Sequence, residues 1–150
     1  APLLCAAAQP RAGCAYPVQV TPKGGRQDHQ RSLPTPASLL RRYVAPGRRF
    51  PLRIDWVNAA CLLFPAAVFR DIGGFDEKFH MYCEDVDLCL RLQLRGYQLM
   101  ESEDATVVHE AQRNSHRQWR HCMWHLVSLW RLWHSPPYRQ YKRQQNTCQK

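Results

Sequence analysis

Blocks of apolar and polar positions along the chain predict a short series of elements. Residues 13–20 (GCAYPVQV) form a β-type run, and Pro17, which has no N–H to give a ladder, places that run at a sheet edge or a strand end. Thr21-Pro22-Lys23-Gly24-Gly25 reads as a turn. Residues 26–36 are polar, Pro34-Thr35-Pro36 rules out regular helix there, and a short helix can form over 37–43. With 45–51 as a Pro- and Arg-containing loop, the region 26–51 is expected to be a mobile, basic connection able to order around a ligand. Residues 54–63 (IDWVNAACLL) are nearly continuous in apolar side chains, as a strand covered on both faces is. Pro65 suits the first turn of a helix over 66–71, which Gly73-Gly74 stops.

The second half is more helical. Residues 84–95 open with acids, carry Leu88, Leu90, Leu92 and Leu94, and end on Arg95 before Gly96, which predicts the central helix. Short strands are expected at 97–100 and 105–108. A long helix is expected at 115–134, capped by Asn114 or Ser115 and stopped by Pro136-Pro137, with Trp119, Met123, Leu126, Trp130 and Trp133 on one stripe. The polar, basic stretch from 138 onward reads as a frayed tail.

The 150 residues fit one domain, and an apolar content of 45% is enough to bury a core. The chain starts at Ala1 and runs straight into Leu3-Leu4-Cys5-Ala6-Ala7-Ala8, like the end of a helix begun upstream, so a fragment is expected. No basic segment precedes that run and no cleavage pattern follows it, which argues against a secretory signal. The longest apolar run, 56–69, is broken by Asn58 and Pro65 and is shorter than the roughly 20 residues a membrane-spanning helix needs. Seven cysteines without a C-x-x-C pair indicate neither a disulfide framework nor a zinc knuckle, and fit a reducing, cytoplasmic setting. A formal charge of +9 implies an anionic counterpart: nucleic acid, an acidic bilayer or a phosphorylated small molecule.

Candidate chemistry concentrates between Gly73 and Arg91. Asp85 lies in the first turn of the predicted central helix, and Leu88, Cys89 and Leu92 follow it at helical spacing, so its carboxylate shares the apolar face. Burying a charge there is costly unless it is paired or functional. Repulsion among Glu84, Asp85 and Asp87 raises a carboxylate's pKa and the helix N-terminus lowers it, and the sequence leaves the balance open. The plainer alternative is that these acids complement the helix dipole and that Asp87 pairs with Arg91 one turn on.

The ordered motifs of 54–110 resemble glycosyltransferase family 2, in particular its rhamnosyltransferase-like members. They are Asp55-Trp56-Val57 before an apolar run, then GGFDE, then a tyrosine before EDVDLCLR, then Val107-Val108-His109. Weaker similarity extends through Arg31-Ser32-Leu33-Pro34-Thr35-Pro36 and the last helix. The resemblance implies an α/β fold: the acceptor-side, C-terminal half of a GT-A domain, a mixed sheet with flanking helices, over 1–112. A long amphipathic helix over 113–135 and a basic tail over 136–150 would follow. It implies an inverting transferase in which Asp85, with Glu84 beside it, takes the proton of an acceptor hydroxyl. The resemblance makes Trp56, Asn58, Gly74 and Asp76 candidate substrate-binding residues and His109 a candidate ligand of a divalent cation, Mg or Mn. The remaining Asp-x-Asp ligands are expected in an N-terminal half that this chain lacks. Implied partners are a nucleotide-sugar donor and a glycan or lipid-linked acceptor of cell-envelope polysaccharide synthesis, with peripheral contact to the inner face of the plasma membrane and no nucleic acid. At 58–59 the chain has Asn-Ala where the family usually shows Ser-Gly.

Each candidate has a plainer reading: Trp56 as core, His109 as a strand-end histidine held by a backbone partner, Gly73 to Glu77 as a helix stop and turn. Asp85-Val86-Asp87 is not the Asp-x-Asp element, because residues two apart on a helix point about 200° apart. His121 and His125, at i and i+4, lack the glutamate and third ligand of a helical zinc site. The arginine- and tryptophan-rich last helix suits either an anionic membrane surface or packing on the domain with its arginines in water. A nucleic-acid-binding module and a non-catalytic remnant that docks on a membrane or serves as a scaffold are the rival readings.

Overall fold

The computed structural model describes residues 1–44, 53–110 and 119–148. It is a mixed α/β arrangement in the order α1 (Pro2–Ala7), β1 (Ala12–Val20), β2 (Gln30–Arg31), α2 (Pro36–Val44), β3 (Trp56–Val57), α3 (Ala66–Asp71), α4 (Glu84–Leu94), β4 (Gln98–Val108), α5 (Trp119–His134) and α6 (Pro136–Cys148). The predicted loop at 45–51 and the predicted helix start at 115–118 lie outside the described residues.

α4 is the centre of the core, because its leucines and small side chains are buried on several sides. Leu88 and Leu92 pack with Cys14 and Ile72, and Cys89 packs with Tyr16 and Val57. Val86 and Leu90 meet Leu129, Leu132, Tyr138 and Tyr141 from the two C-terminal helices. The helix ends as its sequence requires: Gly96 takes φ 81°, a left-handed conformation that a residue without Cβ adopts freely.

β1 and β4 pair in parallel, and β2 and β3 pair antiparallel. The two strands expected at 97–100 and 105–108 are one strand. Its polar middle is held in the ladder opposite Tyr16 and Pro17, and the register then jumps so that Val18 faces Thr106. That jump falls at Pro17, so the proline sits inside a nine-residue strand at an irregularity, rather than at a strand end.

The strand expected over 54–63 is likewise corrected. Only Trp56–Val57 is paired, because Asn58 turns the chain by accepting the Ala60 N–H on its side-chain oxygen. Leu63 then meets Ala15 in a single bridge. Apolar continuity here reflects a buried turn, with Leu62 and Phe64 packed against the core around Cys14.

Much of the connection expected to be mobile is fixed. Arg26, His29 and Gln30 all bring side-chain nitrogens to the Glu101 carboxylate of β4, and His29 and Leu33 are buried. The expected frayed tail is α6, whose first turn accommodates Pro136 and Pro137 without loss of a helical hydrogen bond and whose Tyr138 and Tyr141 enter the core. Pro136-Pro137 therefore separates two helices instead of ending the structure.

Asp55 explains why α6 is held. Its carboxylate is 2% exposed, Oδ2 accepts the Leu33 N–H at 2.7 Å, and Oδ1 accepts from Tyr141 Oη at 3.0 Å and Gln145 Nε2 at 2.7 Å. Arg53 Nε lies 3.1 Å from Oδ1. A buried carboxylate so enclosed ties three distant segments together.

Candidate active site

The start of α4 carries the chemistry that the sequence singles out. Tyr82 and Cys83 precede it with φ of 70° and 66°, left-handed values that cost a residue with a Cβ on the order of 1 kcal/mol each. Cys83 occupies the cap position with no side-chain cap, so the helix start is shaped by neighbouring packing. Tyr82 Oη and His121 Nδ1 of α5 are 3.1 Å apart, and Ser128 Oγ donates to the Met81 carbonyl at 2.7 Å. α5 thus clamps the strained segment from outside.

Asp85 is half-buried, and its nearest hydrogen bond is local: Oδ1 accepts the Val86 N–H at 2.8 Å. Removal from water, with the Glu84 charge adding to it, pushes its carboxyl from 3.8 up to about 7; the Val86 N–H and the Arg31 guanidinium pull in the opposite direction. The balance left open by the sequence falls on the side of burial and repulsion. Oε2 of Glu84 is buried without a partner among the described residues. The pair therefore opens the helix with incompletely satisfied acceptor capacity, as a site that waits for a proton or a hydroxyl does.

Asp87 is different. Its Oδ2 accepts from Arg91 Nε at 2.7 Å, and Arg91 Nη1 donates to the Ile72 carbonyl at 2.6 Å, which fixes the end of α3 and the glycines after it. Asp87 is thus structural, and it is not oriented with Asp85 toward a shared ion.

Gly73 and Gly74 have φ of 76° and 66°, and a Cβ on Gly74 would meet the Phe69 ring at 3.3 Å. Asp76 Oδ1 accepts the Lys78 N–H at 3.0 Å and so shapes the turn. An open cleft of about 430 Å³ lies between this loop, Asp87 and Arg91 of α4, and Ser135–Pro137 at the α5–α6 junction. Asp76 lines it and Asp85 does not.

Trp56 is partly buried against the core, its Nε1 donates to the Ser32 carbonyl at 2.9 Å, and the Arg31 guanidinium lies 5.4 Å from its ring centroid. Arg31 therefore covers one face of the ring. Asn58 Oδ1 accepts from Gln19 Nε2 at 2.6 Å. Gln19 is fully buried, and its own Oε1 has no partner among the described residues.

His109 follows β4, with its N–H on the Val20 carbonyl at 2.9 Å and its carbonyl accepting from Gln27 Nε2. Its ring Nδ1 is buried without a partner among the described residues, so one nitrogen fits as a single ligand of a divalent cation. The described residues group no three His, Cys, Asp or Glu side chains that could hold a metal ion. His121 is occupied by Tyr82, and Trp124 packs edge-on against His80 and His121.

Two participants escaped the sequence reading. Arg31, distant in sequence, is the cation that acts on Asp85, and no spacing rule marks it. Asp55 is a solitary acid in an apolar run, a pattern that signals a buried, paired carboxylate.

About half of the chain is similar to curated glycosyltransferases, rhamnosyl- and hexosyltransferases among them. Over 79 residues, 52% of this chain and 30% of the relative, it is 35% identical to Rhamnosyltransferase WbbL of Escherichia coli. Over 64 residues, 43% of this chain and 21% of the relative, it is 38% identical to the N-acetylglucosaminyl-diphospho-decaprenol L-rhamnosyltransferase of Mycobacterium tuberculosis. Over 82 residues, 51% of this chain and 27% of the relative, it is 27% identical to the low-salt glycan biosynthesis hexosyltransferase Agl10 of Haloferax volcanii. The chain thus spans a third or less of the length of these curated relatives. No family model matches it, and no solved structure matches it.

Proposed function

We propose that this chain is the acceptor-side part of an inverting sugar transferase with a GT-A fold, and that Asp85 is its general base. The observation that carries the reading is the half-buried Asp85 carboxyl at the start of α4, raised to about 7, where a base and its conjugate acid are both accessible near neutral pH. The sugar is a hexose or deoxyhexose such as rhamnose, carried on a nucleoside diphosphate. The acceptor is a glycan or a lipid-linked saccharide of the cell envelope, in keeping with the names of the relatives.

The reaction is one in-line displacement. Asp85 removes the proton of the acceptor hydroxyl as that oxygen bonds to the anomeric carbon. The bond from that carbon to the donor's phosphate oxygen breaks on the opposite face, the nucleoside diphosphate leaves with the bonding electrons, and configuration inverts. Glu84 keeps the Asp85 proton affinity high through its own charge. Asp76 and Gly74 are assigned to the acceptor side and Trp56 and Asn58 to sugar binding, with the Arg31 guanidinium leaving the Trp56 ring when a sugar stacks there. A divalent cation, Mg or Mn, would neutralise charge on the departing diphosphate, with His109 Nδ1 as one ligand and an Asp-x-Asp element of an N-terminal half as the others.

The test is Asp85→Asn in the longest native form of the polypeptide, assayed for sugar transfer from nucleotide-sugar donors. Loss of transfer with an unchanged fold supports the base assignment, and undiminished transfer removes Asp85 from the mechanism.

A further inference from the structure

The outer face of α5 is apolar and uncovered among the described residues. Trp119 is 76% exposed and Trp130 62%, and Met123, Leu126 and Val127 are each at least half exposed. At 100° per residue these five side chains fall within one helical stripe. The buried residues of the same helix, Ser128, Leu129 and Leu132, lie on the other side. The sequence-predicted stripe therefore faces away from the core, apart from Trp133, which donates Nε1–H to the Pro34 carbonyl.

Charge identifies what this face meets. Residues 111–150 hold eight of the chain's 21 Lys and Arg and none of its 12 Asp and Glu, so they supply +8 of the net +9. Arg120 and Arg131 are exposed at one edge of the apolar stripe, and Arg139, Lys142 and Arg143 are exposed on α6. A protein partner with an apolar face would not require such one-sided charge. An anionic bilayer meets both features, by taking the tryptophans and leucine into its interface and the cations among its phosphates. No helix of the described residues is long and apolar enough to cross a membrane, so contact is along the surface.

We propose that α5 lies on an anionic lipid surface through Trp119, Met123, Leu126, Val127 and Trp130, with basic side chains of α5 and α6 binding lipid phosphates. The opposite side of α5 holds Tyr82 and Met81, the residues that lead into Glu84 and Asp85. Docking therefore sets the start of α4 close to the bilayer surface, where, on the function proposed above, the hydroxyl of a lipid-linked acceptor arrives.

Sedimentation of the longest native polypeptide with vesicles tests this. Binding is expected to vesicles of phosphatidylglycerol and phosphatidylethanolamine, to weaken with salt, and to be much lower on phosphatidylcholine alone. Leu126→Gln combined with Trp130→Gln, both at exposed positions that leave the core intact, should lower binding by roughly tenfold or more. Arg120→Gln with Arg131→Gln should lower it less and reduce the salt dependence. Asp85→Asn should bind as the unaltered protein does, which separates this proposal from the assignment of the base. Absence of binding to anionic vesicles, or equal binding by the Leu126→Gln/Trp130→Gln variant, overturns it. So does a dimer that the same variant turns into a monomer, since a second copy would then be what covers the stripe.

Discussion

Two carboxylates removed from bulk water divide the molecule into a part that is held and a part that is poised. Asp55 is fully enclosed, and both of its oxygens accept hydrogen bonds, from the Leu33 N–H, Tyr141 and Gln145, with Arg53 beside them. Asp85 is half-buried, accepts mainly from the adjacent Val86 N–H, and faces the Glu84 charge. Asp55 shows that a buried carboxylate can serve as an anchor, because donors from separate segments of the chain fill its oxygens. Asp85 shows what an incomplete set leaves: an acid whose proton affinity suits chemistry near pH 7.

The contrast is sharpest if each aspartate is changed in turn. Asp85→Asn keeps the shape and removes the proton acceptor, so sugar transfer by the longest native polypeptide should fall by roughly 10²–10⁴-fold, the range of a general base. Its urea midpoint at pH 7.5 should stay the same or rise, since an amide at that position relieves repulsion with Glu84. A lowered midpoint together with retained transfer would place Asp85 in the structural class beside Asp55.

Asp55→Ala should behave in the opposite manner. It leaves the Leu33 N–H, the Tyr141 hydroxyl and the Gln145 amide without their acceptor, a loss of roughly 2–4 kcal/mol in unfolding free energy. α6 should loosen first, seen as faster amide exchange through Tyr138 and Tyr141. Asp55→Asn, which keeps an acceptor oxygen, should lose about half as much. Equal stability of Asp55→Ala and the unaltered chain would mean that α6 is held by apolar packing alone.

The sequence revealed the poised half better than the held half. The helix at 84–95 was legible because its leucines, its acidic first turn and Gly96 all point to the same element. Residues 66–71 were legible for a similar reason, with Pro65 before and two glycines after. The stretch at 54–63 misled, because an apolar run reads alike whether it is buried as a strand or as a turn, and only the Asn58 side chain decides. The last helix was missed because its exposed face is entirely polar, and the two tyrosines that anchor it depend on an aspartate more than 80 residues away. The same is true of Arg31 at Asp85: long-range charge leaves no periodic trace.

Dependence on pH refines the comparison for Asp85 alone. Catalysis needs the ionised carboxylate, so transfer should rise about tenfold per pH unit below about 7 and level off above it. Stability should move in the opposite direction. Between 3.8 and about 7 the native Asp85 keeps a proton that the unfolded chain has lost, so the folded state binds more protons and unfolding free energy falls as pH rises across that window. Because the group is half-buried, this contribution is ~1–3 kcal/mol, smaller than full burial would give. Urea titrations at several pH values, with Asp85→Asn as the reference, isolate it: the variant should lack this fall.

Tyr141→Phe makes the smallest and most specific perturbation of the held half. The ring stays packed among Val86, Leu90 and Leu132, and only the O–H shared between Asp55 Oδ1 and Gln93 Oε1 disappears. Burial, with the Asp55 charge adding to it, pushes this phenol up to about 12, so across the pH range of the other experiments the hydroxyl remains a donor. Its removal should lower stability by about 1 kcal/mol and leave sugar transfer unaltered. Combined with Asp55→Ala the two losses should add to less than their sum, because the same hydrogen bond is counted in both. Strict additivity would show that Tyr141 contributes its ring and not its hydroxyl, and that Asp55 holds α6 through Gln145.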